Sequence, residues 1–95
     1  MIYDLFIPDD IKQQIREYKK AGNLSAYKKI AGFLLELEKH PRSGTGKPER
    51  LKYKKGEIWS RRINHEHRLV YSIMDEIITV EIISVKGHYL CSNQN

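Results

Sequence analysis

Pro41 divides the sequence into two parts in which the apolar residues recur with different periods. Before Pro41 they are spaced three and four residues apart, as on one face of an α-helix. After it, β-branched and aromatic residues form short runs that are typical of strands. Because proline lacks an N–H group and blocks the continuation of a helix, we expect a helical part followed by a sheet. The predicted fold class is therefore α+β.

The first forty residues predict one strand and two helices. Residues 2–7 (IYDLFI) alternate as a short strand does. The apolar stripe of the first helix is Ile11, Ile15 and Tyr18, and this helix is expected to end near Gly22. A second helix is expected to begin with Ser25 as its candidate N-cap and to end at His40.

After a glycine-containing loop at residues 42–47, four antiparallel strands are predicted. They lie near residues 51–53, 58–63, 67–74 and 77–85. Asp75-Glu76 is expected to make a tight turn before the last strand. Trp59 is expected to pack in the core beneath the helices. The whole chain, residues 1–95, is thus predicted to be one compact domain, with an N-terminal strand and a two-helix hairpin packed on an antiparallel sheet.

Composition narrows the class of protein further. A single cysteine, Cys91, excludes an internal disulfide framework and is typical of a reducing compartment. The sequence has no apolar stretch of the roughly 20 residues that a membrane span needs, and no signal-peptide pattern at its start. We therefore expect a cytoplasmic protein that has no membrane partner.

The net charge of +5 is concentrated in the middle of the chain. Residues 39–68 contain ten Lys or Arg and three Glu, about +7 together, which leaves about −2 for the rest. A concentrated basic segment favours a polyanionic partner such as nucleic acid. The alternative is a solvated surface that binds nothing in particular.

Within this segment, one carboxylate and three arginines are candidates for chemistry. Glu49 is flanked by cations and is either a general base or one partner of a surface ion pair. Arg61 and Arg62 are neighbours on a predicted strand, so they point to opposite faces and only one is expected to face a given groove. Arg68 opens the next strand and could bind a phosphate bidentately. Its alternative is a salt bridge to one of three carboxylates: Glu57, Glu66 or Glu81.

The histidines form two pairs. His65 and His67 have a spacing that places both on one face of a strand, but the sequence offers no third ligand and no cysteine pair, so no metal site is predicted. His88-Tyr89 follows the last predicted strand. An imidazole there can donate a proton to a leaving oxygen near neutral pH, and a phenol can stack on a base. The alternative for His88-Tyr89 is a structural role.

Four motifs in the second half of the chain resemble the YoeB/Txe branch of the RelE-type toxins. They are G-K-P-E at 46–49, W-S-R-R-I at 59–63, E-H-R-L-V-Y at 66–71 and K-G-H-Y at 86–89, in the family's order and at nearly its spacing. The predicted strand, helix hairpin and meander are similar to the RelE-like fold of that family. The resemblance implies a ribosome-dependent mRNA endonuclease that cuts in the A site without a metal or other cofactor. In such enzymes the ribose 2′-hydroxyl attacks the adjacent phosphate, which leaves a 2′,3′-cyclic phosphate and a 5′-hydroxyl.

By their places in the motifs, the resemblance also implies roles for individual residues. Glu49 would be the general base, Arg68 would stabilise the charge of the phosphorane, and His88 would protonate the leaving 5′-oxygen. Tyr89 would position the mRNA beside His88. The cations expected to contact RNA are Lys47, Lys52, Lys54, Arg61 and Arg62.

The partners implied by the resemblance are the ribosome, mRNA and a cognate antitoxin whose disordered acidic and apolar tail folds onto the toxin. A homodimer is implied as well. Two features differ from the family. Residues 90–95 (LCSNQN) continue past His-Tyr and are expected to be a flexible tail. The predicted first helix is aliphatic and charged, whereas family members are rich in aromatics there.

Two other functions are alternatives. One is a non-catalytic ribosome- or RNA-binding module, and the other is a ParE-like toxin that inhibits a protein target.

Overall fold

The computed structural model describes residues 1–52 and 55–87, and it confirms the predicted α+β class. Over these ranges two helices pack on one face of a five-stranded sheet. In chain order the elements are β1 (Asp4–Phe6), α1 (Asp9–Lys20), α2 (Leu24–Lys39), β2 (Glu49–Arg50), β3 (Glu57–Arg62), β4 (Arg68–Met74) and β5 (Thr79–Ser84). No helix in the described part of the chain is long and apolar enough to cross a membrane.

The sheet is mixed, with the strand order β1-β5-β4-β3-β2. Strands β2 to β5 form the predicted antiparallel meander. The N-terminal strand β1, in contrast, pairs in parallel with β5, with Leu5 opposite Val80. A parallel pair requires a crossover connection, and the two helices lie in the connection that follows β1. The sequence predicted no partner for the N-terminal strand, and the structure pairs it with β5 at the edge of the sheet.

The hydrophobic core lies between the helices and the sheet. Alternate residues of each strand face the helices, as the two-residue period of a strand requires. The fully buried core side chains include Ile30, Phe33, Leu37, Leu69, Tyr71, Val80 and Ile82. The half-buried Trp59 packs against this cluster, as expected, and its Nε1–H donates to Glu57 Oε2 at 3.0 Å.

Several predicted boundaries shift by a few residues. The N-cap of α2 is Asn23 rather than Ser25, because the Asn23 side chain accepts a hydrogen bond from the Ala26 N–H at 3.3 Å. Strand β2 consists of Glu49–Arg50, just before the predicted residues 51–53, of which Tyr53 lies outside the described residues. Glu49 itself therefore lies in the sheet. Strand β5 begins later than predicted because a short 3₁₀ turn, Asp75–Ile77, replaces the tight turn. Ile78 after that turn has a left-handed φ of 50°.

Candidate active site

The sheet face opposite the helices carries the predicted base and two of the predicted arginines. Glu49 on β2 lies directly opposite Ser60 on β3, and Arg62 on β3 lies directly opposite Arg68 on β4. Ser60 and Arg62 are two residues apart, so their side chains share this face. The structure therefore brings together Glu49, Ser60, Arg62 and Arg68 on three adjacent strands.

Two arginines that face each other across the strands give this face its electrostatic character. The Cβ atoms of directly opposite residues lie about 4.5–5.5 Å apart, and like charges at this distance repel. Over residues 1–52 and 55–87, neither Arg62 nor Arg68 forms an ion pair. Among the described residues, the Arg68 guanidinium donates only to Ser60 Oγ, at a long 3.5 Å. Because a bound anion would relieve the repulsion, the pair is suited to a phosphate.

The salt-bridge alternative for Arg68 finds no support among the described residues. Glu57, one of its candidate partners, is instead bound bidentately by Arg42, with distances of 2.6 and 2.8 Å. Hydrogen bonds from Arg42 are the main cause that lowers the pKa of Glu57. Arg42 also contacts Asp75, at 2.8 Å. Glu57 and Asp75 lie near the end of β4, whereas Arg68 lies at its start, so this ion-pair cluster is separate from the arginine pair.

The motif G-K-P-E forms a left-handed turn that delivers Glu49 into β2. Gly46 and Lys47 have φ values of 81° and 52°, and Lys47 therefore adopts a conformation that is costly for a residue with a Cβ atom. The Gly46 carbonyl accepts a hydrogen bond from the Arg62 N–H at 2.7 Å. A Cβ atom on Gly46 would lie 2.5 Å from Phe33 Cζ, so this position requires glycine for space as well as for φ.

Arg61 is the internal anchor of the loop that precedes this turn. Its side chain is fully buried, and its guanidinium lies 5.8 Å from the ring centres of Phe33 and Tyr71. Its five hydrogen bonds equal the number of donors that a guanidinium has. The acceptors are Tyr71 Oη at 3.2 Å, Glu36 Oε1 at 2.6 Å, and the carbonyl oxygens of Thr45 at 3.2 Å, His40 at 2.8 Å and Ser43 at 2.8 Å.

This burial corrects the predicted role of Arg61. Of the two neighbouring arginines, the strand alternation sends Arg61 toward the core and leaves Arg62 exposed on the face with Glu49. RNA cannot reach a guanidinium that has no exposed surface and no free donor. Arg61 therefore holds the fold together, and the expectation that it contacts RNA is wrong.

Glu36 on α2 is the anionic partner of Arg61. Burial alone would raise the pKa of this carboxyl, but hydrogen bonds from the Thr45 N–H and hydroxyl and from Arg61 outweigh it and lower the pKa below its ordinary 4.5. The ionised form of Glu36 is thus the one that the folded state favours. It links α2 to the loop and, through Arg61, to β3.

The other predicted site residues are divided between the surface and the undescribed part of the chain. Lys47 and Lys52 are exposed on either side of Glu49. His88, Tyr89 and Lys54 lie outside the described residues. His65 is exposed, whereas His67 is half-buried, and its Nδ1 accepts a hydrogen bond from the Gly87 N–H at 2.8 Å. No group of three or more metal-ligating side chains occurs in residues 1–52 and 55–87.

Ser60, for which the sequence predicted no role, lies between Glu49 and Arg68 and is fully buried. The motif W-S-R-R-I contains the spacing that could have identified it. Because Ser60 precedes Arg62 by two residues, the strand period alone places its hydroxyl on the same face. Its place opposite Glu49 depends on the register of β2, which the sequence did not predict.

Comparison with known proteins decides the family. The family model described as a YoeB-like toxin of a bacterial type II toxin-antitoxin system matches residues 10–89. The chain belongs to this family. The resemblance drawn from the four motifs is thereby confirmed.

Relatives in this family match the chain in both sequence and structure. Toxin YoeB of Synechocystis sp. is 47% identical over 62 residues, which cover 65% of this chain and 70% of the relative. The YoeB dimer of Staphylococcus aureus has a TM-score of 0.78 at 32% identity and covers 94% of this chain and 100% of its own. The YoeB-YefM complex of the same organism has a TM-score of 0.73 at 33% identity, with the same coverage.

The burial of Arg61 predicts that the two neighbouring arginines contribute very differently to the free energy of unfolding. Arg61→Ala leaves Glu36 and three carbonyl groups without their partner, so we expect the free energy of unfolding to fall by about 3–5 kcal/mol. The matched change Arg62→Ala removes an exposed charge and should alter it by less than about 0.5 kcal/mol. Urea unfolding followed by Trp59 fluorescence measures both. Equal losses in the two variants would contradict the assignment of Arg61 to the core.

The low pKa of Glu36 predicts a loss of stability in acid. A carboxyl whose pKa is lowered in the folded state stabilises that state above the unfolded pKa, and this contribution is lost as the pH falls through the folded pKa. We therefore expect the difference in unfolding free energy between wild type and Glu36→Gln to shrink as the pH falls below 4.5. Urea unfolding from pH 7 to pH 3 measures this difference. A difference that stays constant over the range would exclude a stabilising charge on Glu36.

Proposed function

We propose that this protein is the toxin of a type II toxin-antitoxin pair and that it cuts mRNA on the ribosome. The observation that carries the proposal is the arginine pair Arg62 and Arg68, which faces no carboxylate within ion-pair distance in the described chain and lies beside Glu49. Membership of the YoeB-like toxin family supports the same conclusion. The face thus combines a base with a phosphate-binding group.

In the proposed reaction, the scissile phosphate binds between Arg62 and Arg68. The Glu49 carboxylate accepts the proton of the adjacent ribose 2′-hydroxyl, whose oxygen then attacks phosphorus. Arg68 stabilises the additional negative charge of the pentacoordinate phosphorane. As the bond from phosphorus to the 5′-oxygen breaks, His88 donates a proton to that oxygen. The products are a 2′,3′-cyclic phosphate and a 5′-hydroxyl, and the protons balance because Glu49 gains one and His88 loses one.

The remaining cations are proposed to hold the nucleic acid. Lys47 and Lys52 are exposed on the two sides of Glu49 and can follow the phosphate backbone in both directions. Lys54 belongs to the same basic segment of the sequence. Tyr89 is proposed to stack on a base next to the cut, since single-stranded RNA presents its bases for such contacts. Ribosomal RNA offers the same phosphate chemistry and is the second proposed contact of these lysines.

A cognate antitoxin is the second proposed partner. YoeB of Staphylococcus aureus forms a complex with YefM, and a comparable partner for this chain would carry an acidic and apolar segment. Such a segment complements the basic face by charge, and it gains its structure on binding. A homodimer is proposed by analogy with the YoeB dimer from the same organism.

The test of this function is the fate of mRNA on programmed ribosomes. We expect the wild-type protein to cut at the A-site codon in the presence of EDTA, and Glu49→Gln to cut at least about 100-fold more slowly, because the amide cannot accept the proton. Primer extension maps the cuts, and single-turnover time courses give the rates. Glu76→Gln, a change at an exposed carboxylate in the 3₁₀ turn, is the matched control and should cut at the wild-type rate.

Two results would direct the proposal elsewhere. Ribosomes that bind the protein but keep their mRNA intact would favour a non-catalytic binding module. Growth inhibition by a wild-type protein that leaves mRNA intact would favour a toxin that acts on a protein target, as the ParE-like alternative requires. Cleavage by Glu49→Gln at the wild-type rate would remove Glu49 from the mechanism while leaving the nuclease itself in place.

A further inference from the structure

The end of β5 is held by one side chain from α1 and by one of its own side chains. The Tyr18 hydroxyl on α1 donates to the Val85 carbonyl at 2.7 Å. The Ser84 hydroxyl accepts from the Lys86 N–H at 3.3 Å and donates to the Lys86 carbonyl at 3.0 Å. These bonds fix the chain just before Gly87, the last described residue.

Gly87 itself is fixed at both of its backbone polar groups by two consecutive residues. Its N–H donates to His67 Nδ1 at 2.8 Å, and its carbonyl accepts from the Arg68 N–H at 3.1 Å. Gly87 has a φ of 74°, a left-handed conformation that glycine adopts without strain. The two bonds therefore hold both backbone polar groups of Gly87.

His67 is held by its ring and by its backbone. The ring lies edge-on to the Tyr18 ring, with the centres 5.7 Å apart and the planes at 79°. Its backbone N–H donates to Asn64 Oδ1 at 2.8 Å, and its carbonyl accepts from the Ile63 N–H at 3.0 Å. Nδ1 is the acceptor in this bond, so it faces the Gly87 N–H with its lone pair. His67 thus presents a fixed acceptor to Gly87.

We propose that His67 is a positioning residue for the cleavage reaction. Gly87 is covalently bonded to His88, and consecutive Cα atoms are only about 3.8 Å apart. By holding Gly87, the His67 imidazole restrains the residue to which the proposed general acid is bonded. The next residue, Arg68, is proposed to bind the phosphate, and its N–H bonds the carbonyl of the same glycine. This inference rests on the proposed function.

The rival explanation is that His67 merely packs against Tyr18. Two substitutions of the same shape separate packing from hydrogen bonding. Asparagine and leucine have closely similar side-chain shapes, but asparagine carries an oxygen on Cγ, where histidine carries Nδ1, and leucine carries a methyl group. Both variants lose the ring, and only His67→Asn keeps an acceptor for Gly87.

The experiment measures single-turnover cleavage of mRNA on programmed ribosomes by wild type, His67→Asn and His67→Leu. We expect His67→Leu to lower the maximal rate about 10- to 100-fold at an unchanged half-saturating concentration, and His67→Asn to stay within about threefold of wild type. Hydrogen exchange of the Gly87 amide should follow the same order, with protection lost only in His67→Leu. Thermal unfolding of the two variants provides the control for folding.

Each result bears on the inference. Equal loss of rate in the two variants, or no loss in either, would overturn the positioning role. If His67→Leu does not fold, His67→Ala supplied with free imidazole replaces it; recovery of the rate supports the role, and no recovery overturns it. A wild-type protein that leaves mRNA intact would overturn the proposed function and, with it, this role; that failure is distinct because it needs no variant.

Discussion

The buried guanidinium of Arg61 is the contact on which the rest of this structure depends. It joins helix α2 through Glu36, strand β4 through Tyr71, and the loop between α2 and β2 through three backbone carbonyls. A loop has no ladder of its own, so its carbonyls need partners, and a guanidinium supplies several donors in one plane. A lysine has a single ammonium group and could not reach all of these acceptors at once. The turn that places Glu49 in the sheet begins where this anchored loop ends.

Two adjacent arginines of β3 have different roles, because Arg61 is buried and Arg62 is exposed. The sequence predicts that Arg61 and Arg62 point to opposite faces, because strand side chains alternate. It could not predict which arginine turns inward. That choice depends on Glu36, 25 residues away, and on carbonyl groups, which every residue possesses and which therefore leave no mark in the sequence. Both arginines lie in the basic segment and in the motif W-S-R-R-I, so both were expected to contact RNA.

Other features of the fold were predicted where they depend on neighbouring residues and missed where they depend on residues far away in the sequence. The helices and strands β3 to β5 follow from local periodicity and were predicted to within a few residues of their ends, whereas β2 lies just before its predicted range. The parallel pairing of β1 was missed because a strand of three residues carries no record of its partner. The arginine pair was also missed as a pair, since the register that places Arg62 opposite Arg68 is set by the β3–β4 connection. The partner of His67 was missed as well, because its Nδ1 accepts a hydrogen bond from an amide 20 residues away in the sequence.

The two faces of the sheet differ in whether their arginines are paired with anions, and this difference bears on the proposed antitoxin partner. On the helix side, Arg61 is fully paired and contributes to folding. On the other side, Arg62 and Arg68 face each other and repel, so the free protein retains an electrostatic cost that any suitable anion lowers. A phosphate of mRNA and a carboxylate of an antitoxin segment are both such anions. In the proposed function both anions would bind the same arginine pair, so a bound antitoxin would exclude mRNA and thereby inhibit cleavage.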